Sequence, residues 1–226
     1  LFLFLIYNEN NINYFFKEQN LKQITEIKKI GKGDRYYLYL DDEFFGVFEA
    51  EILARYALKT GQSFDDSFFE KLKFENGDYA CFNRGLGVLE KSMKTEKMLK
   101  DYLKEKGYPD VCIENAVEKI KSYGYIDDSA FCESYINSYC NNKSKRKLKY
   151  DLLAKGVNED IIDEKLEMIV DDESEYKICL RLATKYLKNK ETDLKTKQKF
   201  YNHLAGKGFG YNLISKAWEE LINGRN

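Results

Sequence analysis

The chain of 226 residues carries 37 lysines and arginines against 38 aspartates and glutamates, with one histidine, one proline and five cysteines. A net charge of −1 excludes bulk attraction to polyanions, so any nucleic-acid role has to rest on a local patch. A hydrophobic content of 43% suffices for buried cores, while 33% charged residues and the single proline suit long, solvated helices.

The opening run Leu1-Phe2-Leu3-Phe4-Leu5-Ile6-Tyr7 is too short to span a bilayer and lacks the basic start and small-residue cleavage site of a signal peptide. An asparagine-rich stretch follows, and residues 1–20 are expected to form a poorly ordered extension with no assigned function. From residue 21 the pattern alternates. Residues 24–30, 35–40 and 44–48 are rich in β-branched and aromatic side chains, and Gly31-Lys32-Gly33 and Asp41-Asp42-Glu43 separate them, which predicts a three-stranded meander. A helix over residues 49–60 carries Ile52, Leu53, Tyr56 and Ala57 on one side. A second helix, capped by Asp65 or Asp66 and ending near Gly77, completes a small β/α domain over residues 21–77.

Beyond it a register repeats about every fifty residues. Twelve positions before the glycines of Lys106-Gly107, Lys155-Gly156 and Lys207-Gly208 stand Thr95, Ser144 and Thr196. Leu99, Leu148 and Phe200 stand eight before; Leu103, Leu152 and Leu204 stand four before. Tyr108, Val157 and Phe209 follow each glycine, then Ile113, Ile162 and Ile214, then Val117, Leu166 and Trp218, then Ile120, Ile169 and Leu221. A hydroxyl cap, an amphipathic helix, a glycine in the left-handed closing position and a second helix account for this order. A further helix precedes each pair, marked by Phe82, Leu86 and Leu89 after a cap at Asp78, by Phe131 and Tyr135, and by Ala183 and Leu187. The expected fold is therefore mostly α: an elongated tandem array of three three-helix repeats, over residues 78–126, 127–170 and 171–226, behind the N-terminal β-meander and its helices. Such an array is shaped to lie along a partner rather than to enclose a substrate.

Catalytic and metal-binding patterns are absent from the sequence. The lone His203 has no partner at metal spacing, no phosphate-cradling loop or nucleophile elbow occurs, and the five cysteines lack Cys-x-x-Cys spacing and read as reduced thiols of a cytoplasmic protein. The carboxylate pairs Asp41-Asp42, Asp65-Asp66, Asp127-Asp128 and Asp171-Asp172 fall at turns or helix starts and read as caps. No enzyme and no cofactor is expected.

The feature left over is basic. Lys143, Lys145, Arg146, Lys147 and Lys149 fall within seven residues at the start of a predicted helix, where cations oppose the macrodipole. A solvated face is the ordinary reading of a charge run, but this one is nearly free of acid. A second set comprises Arg84, Lys91 and Lys94 with Lys97, Lys100 and Lys104, diluted by Glu90, Glu96 and Asp101. Both sets could follow a phosphate backbone or the acidic lining of a protein groove.

Three strings carry a resemblance: Thr95-Glu96-Lys97-Met98-Leu99 followed by Leu103 and Lys106-Gly107; Tyr123-Gly124-Tyr125-Ile126-Asp127-Asp128 leading to Phe131 and Tyr135-Ile136; and Asp151-Leu152-Leu153-Ala154-Lys155-Gly156-Val157. From about Asp78 to Leu221 the chain resembles the RecX family, bacterial cytoplasmic regulators of the RecA recombinase. The resemblance implies binding in the groove of the RecA filament on single-stranded DNA and modulation of filament growth, ATP hydrolysis, strand exchange and repressor cleavage, hence of recombination, DNA repair and the SOS response. The free protein is expected to be a monomer with no membrane association. Tyr139 stands where the family usually has arginine and Ser144 where it usually has glycine, so the basic role would shift onto Lys143 through Lys149. The alternative reading is a stand-alone helical repeat protein that binds single-stranded DNA and acts by competing for it.

Overall fold

The computed structural model describes residues 21–170 and 172–223; the expectations for residues 1–20 and for Asp171 lie outside them. The chain divides into a first compact unit ending at Asn83 and a second beginning at Arg84.

In the first unit β1 (Leu21–Lys29), β2 (Arg35–Leu40) and β3 (Glu43–Glu49) form the expected meander, antiparallel throughout. The turn at Asp41 and Asp42 has positive φ at both residues (48° and 67°), and the Asp41 carboxylate accepts from the Gln23 amide. The sheet has a fourth strand that the sequence reading missed: β4 (Ser63–Asp65), only three residues long, pairs with the start of β1 and gives the order β3-β2-β1-β4. Three residues are too few for alternation to register. Ile24, Leu38, Leu40 and Phe48 face α1 (Ala50–Arg55) and α2 (Asp66–Leu89) through Ile52, Leu53, Phe69 and Leu72, all buried.

Two expectations are corrected here. α1 stops at Arg55, well short of residue 60, because Ala57 turns to a φ of 48°. α2 runs 24 residues without a break, so no helix ends at Gly77, and Asp78 lies inside the helix rather than at the start of the next. Its Asn76 is occupied elsewhere: the side chain accepts from the Glu49 amide and donates to the Val47 carbonyl, which ties the helix to the edge strand β3. The Asp65 carboxylate accepts the Phe68 amide at 2.9 Å and starts α2.

The second unit contains the end of α2, then α3 (Glu96–Glu105), α4 (Asp110–Ser122), α5 (Asp128–Tyr139), α6 (Lys145–Ala154), α7 (Glu159–Ile169), α8 (Asp172–Leu187), α9 (Leu194–Gly206) and α10 (Tyr211–Asn223). They form three three-helix repeats. α3, α6 and α9 end alike. Gly107, Gly156 and Gly208 have φ of +84°, +87° and +93°, and the amides of Tyr108, Val157 and Phe209 return to the carbonyls of Leu103, Leu152 and Leu204 at 3.2–3.3 Å. These are Schellman closures, and the left-handed residue requires glycine. The repeat register read from the sequence lies in the cores: Leu99, Leu103, Leu148, Leu152, Phe200 and Leu204 are all 0% exposed. In the middle repeat the helix stripe is carried by Cys132 and Ile136, one residue after the expected Phe131 and Tyr135, which are only half-buried beside it.

The caps agree in two repeats and differ in the third. Thr95 accepts from the Met98 amide and Ser144 from the Lys147 amide, but α9 begins one turn early, and its cap is Asp193, with Thr196 as the donor rather than the cap. The Thr196 expectation fails because Asp193 offers a better acceptor three residues upstream.

Candidate partner-binding surface

Thr95 and Ser144 are 0% and 1% exposed, unusual for helix caps, because each sits against the end of the following repeat. Thr95 Oγ1 donates to the Lys155 carbonyl at 2.5 Å, and Lys97 Nζ reaches the Ala154 carbonyl at 3.4 Å. The Ser144 amide donates to the Lys207 carbonyl at 3.0 Å. So the start of α3 abuts the end of α6, and the start of α6 abuts the end of α9. The three middle helices meet head to tail, positive end on negative end, and each contact satisfies orphan carbonyls that a helix terminus otherwise leaves to water.

A carboxylate from the following repeat completes each junction. The first amide of α3, on Glu96, donates to Asp128 Oδ1 of α5 at 3.0 Å, and the first amide of α6, on Lys145, donates to Glu175 Oε1 of α8 at 3.1 Å. Asp127 caps its own helix through the Ala130 amide, whereas its neighbour Asp128 serves a different one. Burial pushes the Asp128 carboxyl above its ordinary value, against the opposing bond from the Glu96 amide. The absence of acid at the start of α6 is thereby answered: its negative partner comes from α8.

Between the first two repeats these contacts leave an open depression of about 580 Å³, lined by Lys97, Lys143, Lys147 and Lys155 with Tyr135 and the carboxylates Asp101 and Asp151. Lys143 Nζ bonds Asp151 at 2.7 Å and the Tyr135 hydroxyl at 2.8 Å, and lies 4.3 Å from the ring centre of Tyr139. Lys147 bonds the other Asp151 oxygen at 2.9 Å. Burial pushes the Asp151 carboxyl up, but the two ammonium groups outweigh it and hold it below its ordinary value. Lys155 stands 5.5 Å above Tyr135.

The basic run is thus split by the helix on which it sits. Lys143 and Lys147 face the depression; Lys149 points to α7, where Asp163 and Glu159 hold it at 2.7 Å each; Arg146 is exposed with no ion pair among the described residues. Lys145 takes part in the α8 junction through its amide. Arg84 is exposed on α2, Lys91 is exposed in the turn after it, and Lys94 is half-buried just before the Thr95 cap. Sequence reasoning did not join Tyr135 and Lys155 to this surface. The signal was there in part: Lys143, Lys147, Asp151 and Lys155 recur every four residues, which places them on one helix face.

Among the described residues no group of three His, Cys, Asp or Glu side chains could hold a metal ion, and no helix is long and apolar enough to cross a membrane. His203 is exposed and stacks on Tyr186 with ring centres 4.7 Å apart. The cysteines are free, and all but Cys140 are buried.

Family models described as the first, second and third three-helix domains of RecX match residues 81–119, 127–166 and 172–218. The chain is 33% identical over 215 residues to a regulatory protein RecX of Clostridium acetobutylicum, covering 93% of this chain and 100% of that one. It is 34% identical over 194 residues to a regulatory protein RecX of Clostridium perfringens, covering 84% and 91%. A crystal structure of regulatory protein RecX aligns with a TM-score of 0.59 over 88% of this chain and 99% of that one, and one of RecX from Lactobacillus salivarius with 0.53 over 66% and 98%. At 24% and 23% identity these two likenesses speak to the fold.

Proposed function

The chain belongs to the RecX family of regulatory proteins, and from that premise we propose that it regulates RecA without chemistry of its own, by lying in the groove of the RecA filament on single-stranded DNA. The observation that carries this reading is the junction between repeats. It is made twice on one plan, a helix start against a helix end with a carboxylate from the following repeat, so it sets consecutive modules alike and would present side chains of successive repeats to one partner. The depression beside the first junction, with four lysines against two aspartates and an aromatic floor, suits acidic side chains of a protein groove. Three of these lysines, Lys97, Lys143 and Lys147, are already paired within the chain, which favours a protein partner over bare phosphates as the principal contact.

The reading places Lys145 and Arg146 in contact with the filament, with Lys143 and Lys147 exchanging Asp151 for a partner carboxylate, and Arg84, Lys91 and Lys94 extending the surface. The double variant Lys145→Glu, Arg146→Glu should require several-fold more protein to inhibit the DNA-dependent ATPase of RecA, with unchanged helical content by circular dichroism. ATP turnover followed at two salt concentrations during titration of the protein into RecA on single-stranded DNA measures this; equal inhibition by the variant would remove the surface from the proposal. Competition for DNA, the second reading, predicts instead that inhibition tracks the protein's binding to DNA alone.

A further inference from the structure

The first unit carries a second surface that the reading above does not use. Its sheet is covered on one face only. Ile24, Leu38, Leu40 and Phe48 point into the core with Tyr36 and Phe45 beside them, whereas Tyr37, Tyr39, Phe44 and Val47 belong to the opposite face and to no buried cluster. Phe44 is 58% exposed and Val47 39%. The register puts Tyr37 opposite Val47 and Tyr39 opposite Phe44, and the Phe44 ring stands edge-on to both tyrosines at 5.8 Å. The cross-strand contacts of these rings stabilise the sheet, yet the Phe44 ring remains largely in solvent. The pleat holds them side by side, Phe44 exposed and Tyr37 and Tyr39 half-buried.

Charge on this face is not uniform. Lys28 lies opposite Tyr37 on β1, Arg35 precedes Tyr37 by two residues on the same face, and Lys32 occupies the adjoining turn. All three are exposed, and Lys28 and Lys32 make no ion pair among the described residues. Arg35 is matched by Glu49 across the strand pair. Asp34, between Lys32 and Arg35, is the other carboxylate at this end, which stays net positive; Glu26 opposite Tyr39 and Asp41, Asp42 and Glu43 in the β2–β3 turn gather at the far end. Cations beside one end of an aromatic row and acid at the other fix a polarity: an anionic backbone is attracted along the Lys28, Lys32 and Arg35 end while flat apolar groups reach inward over the rings. A single-stranded nucleic acid has that division of chemistry, since its bases offer π faces and its phosphates are sequence-independent anions. An apolar protein segment would use the rings but leave the free cations without a role.

We infer that the sheet face of the N-terminal unit binds single-stranded nucleic acid, with bases stacked on Tyr37, Tyr39 and Phe44 and phosphates held by Lys28, Lys32 and Arg35. The site needs nothing from the helical repeats and stands or falls separately from their proposed contact with RecA.

Fluorescence anisotropy of a labelled oligo-dT with the full-length chain, in the absence of RecA, tests it. Tyr37→Ala and Phe44→Ala should each weaken binding by about tenfold, as expected for losing one stacked base, while Tyr37→Trp binds at least as tightly as the parent. An abasic phosphate chain of the same length should bind more weakly to the parent than oligo-dT binds to either alanine variant, because it loses every stacked base. Lys28→Glu with Lys32→Glu should lower the slope of log affinity against log salt by about 0.7 for each phosphate contact removed. The inference is overturned if the parent fails to bind oligo-dT, if Tyr37→Ala and Phe44→Ala bind as the parent does, or if the abasic chain binds as well as oligo-dT, which would leave the platform to a protein partner.

Discussion

The two junctions inside the helical unit are built to one plan and differ in which atoms carry it. At the first, the Thr95 side chain supplies the bond to the next repeat, donating to the Lys155 carbonyl while accepting from Met98. At the second, the main-chain amide of Ser144 makes the equivalent bond to Lys207, and the hydroxyl is left to cap α6. The glycines differ too. A methyl group on Gly156 would fall on the side chain of Lys97, whereas one on Gly208 would fall on Ser144 Oγ and within 3.1 Å of the Lys147 amide nitrogen. At Gly107, whose helix end no repeat abuts, there is nothing within 4 Å. The same Lys-Gly pair therefore does two jobs in repeats two and three and one job in repeat one: it closes a helix everywhere, and it admits a neighbour only where a repeat precedes it.

The largest expected effect separates those jobs. Gly107→Ala should cost about 1–2 kcal/mol, the strain of a left-handed alanine, while Gly208→Ala adds an overpacked contact with main chain for a total of about 2–4 kcal/mol. Gly156→Ala should fall between them, since the obstruction is the Lys97 side chain, whose outer carbons can shift. Urea unfolding of the three variants ranks them; equal losses would mean that the close approach of the repeats contributes nothing. A smaller difference is expected at the caps. Thr95→Ala removes two hydrogen bonds of a fully buried hydroxyl and should cost about 1–2 kcal/mol, and Ser144→Ala about 0.5–1 kcal/mol because its junction bond survives. Melting curves that order the two the other way would place the second junction on the side chain after all.

The smallest effect is in pH. Asp151 titrates below the ordinary carboxylate value when folded, so the native state binds fewer protons; its contribution is full above that ordinary value and is lost as pH falls through the folded pKa. Asp128 is raised, so the native state binds more protons, and its contribution shrinks as pH rises from the ordinary value toward the raised one. Asp151→Asn should therefore flatten the acid limb of the stability curve and Asp128→Asn should steepen it, each by no more than about 1 kcal/mol. Urea midpoints measured across the acid range give both signs at once.

Much of the helical unit was legible in the chain because its code is local. A hydroxyl, a four-residue apolar spacing and a glycine are read within one turn of where they act, and the core positions Leu99 to Leu204 follow from them. The continuous α2 was misread because Gly77-Asp78 has the composition of a helix end, while the packing along both halves of a 24-residue helix overrides a local preference. The basic run was legible as composition and not as a surface: five cations in seven residues point to three sides of one helix, and what each meets depends on Asp151, Glu159 and Asp163 in the folded repeat.

Spacing and capping chemistry, which act over a few residues, are enough to specify three helical modules and their family. Which carboxylate serves which helix is decided only when the modules stack. Asp127 and Asp128 are adjacent and identical in the sequence, yet one caps its own helix and the other, brought to the Glu96 amide 32 residues away in the chain, caps the preceding repeat. No local rule distinguishes them, because the difference lies in the position of a neighbouring helix end.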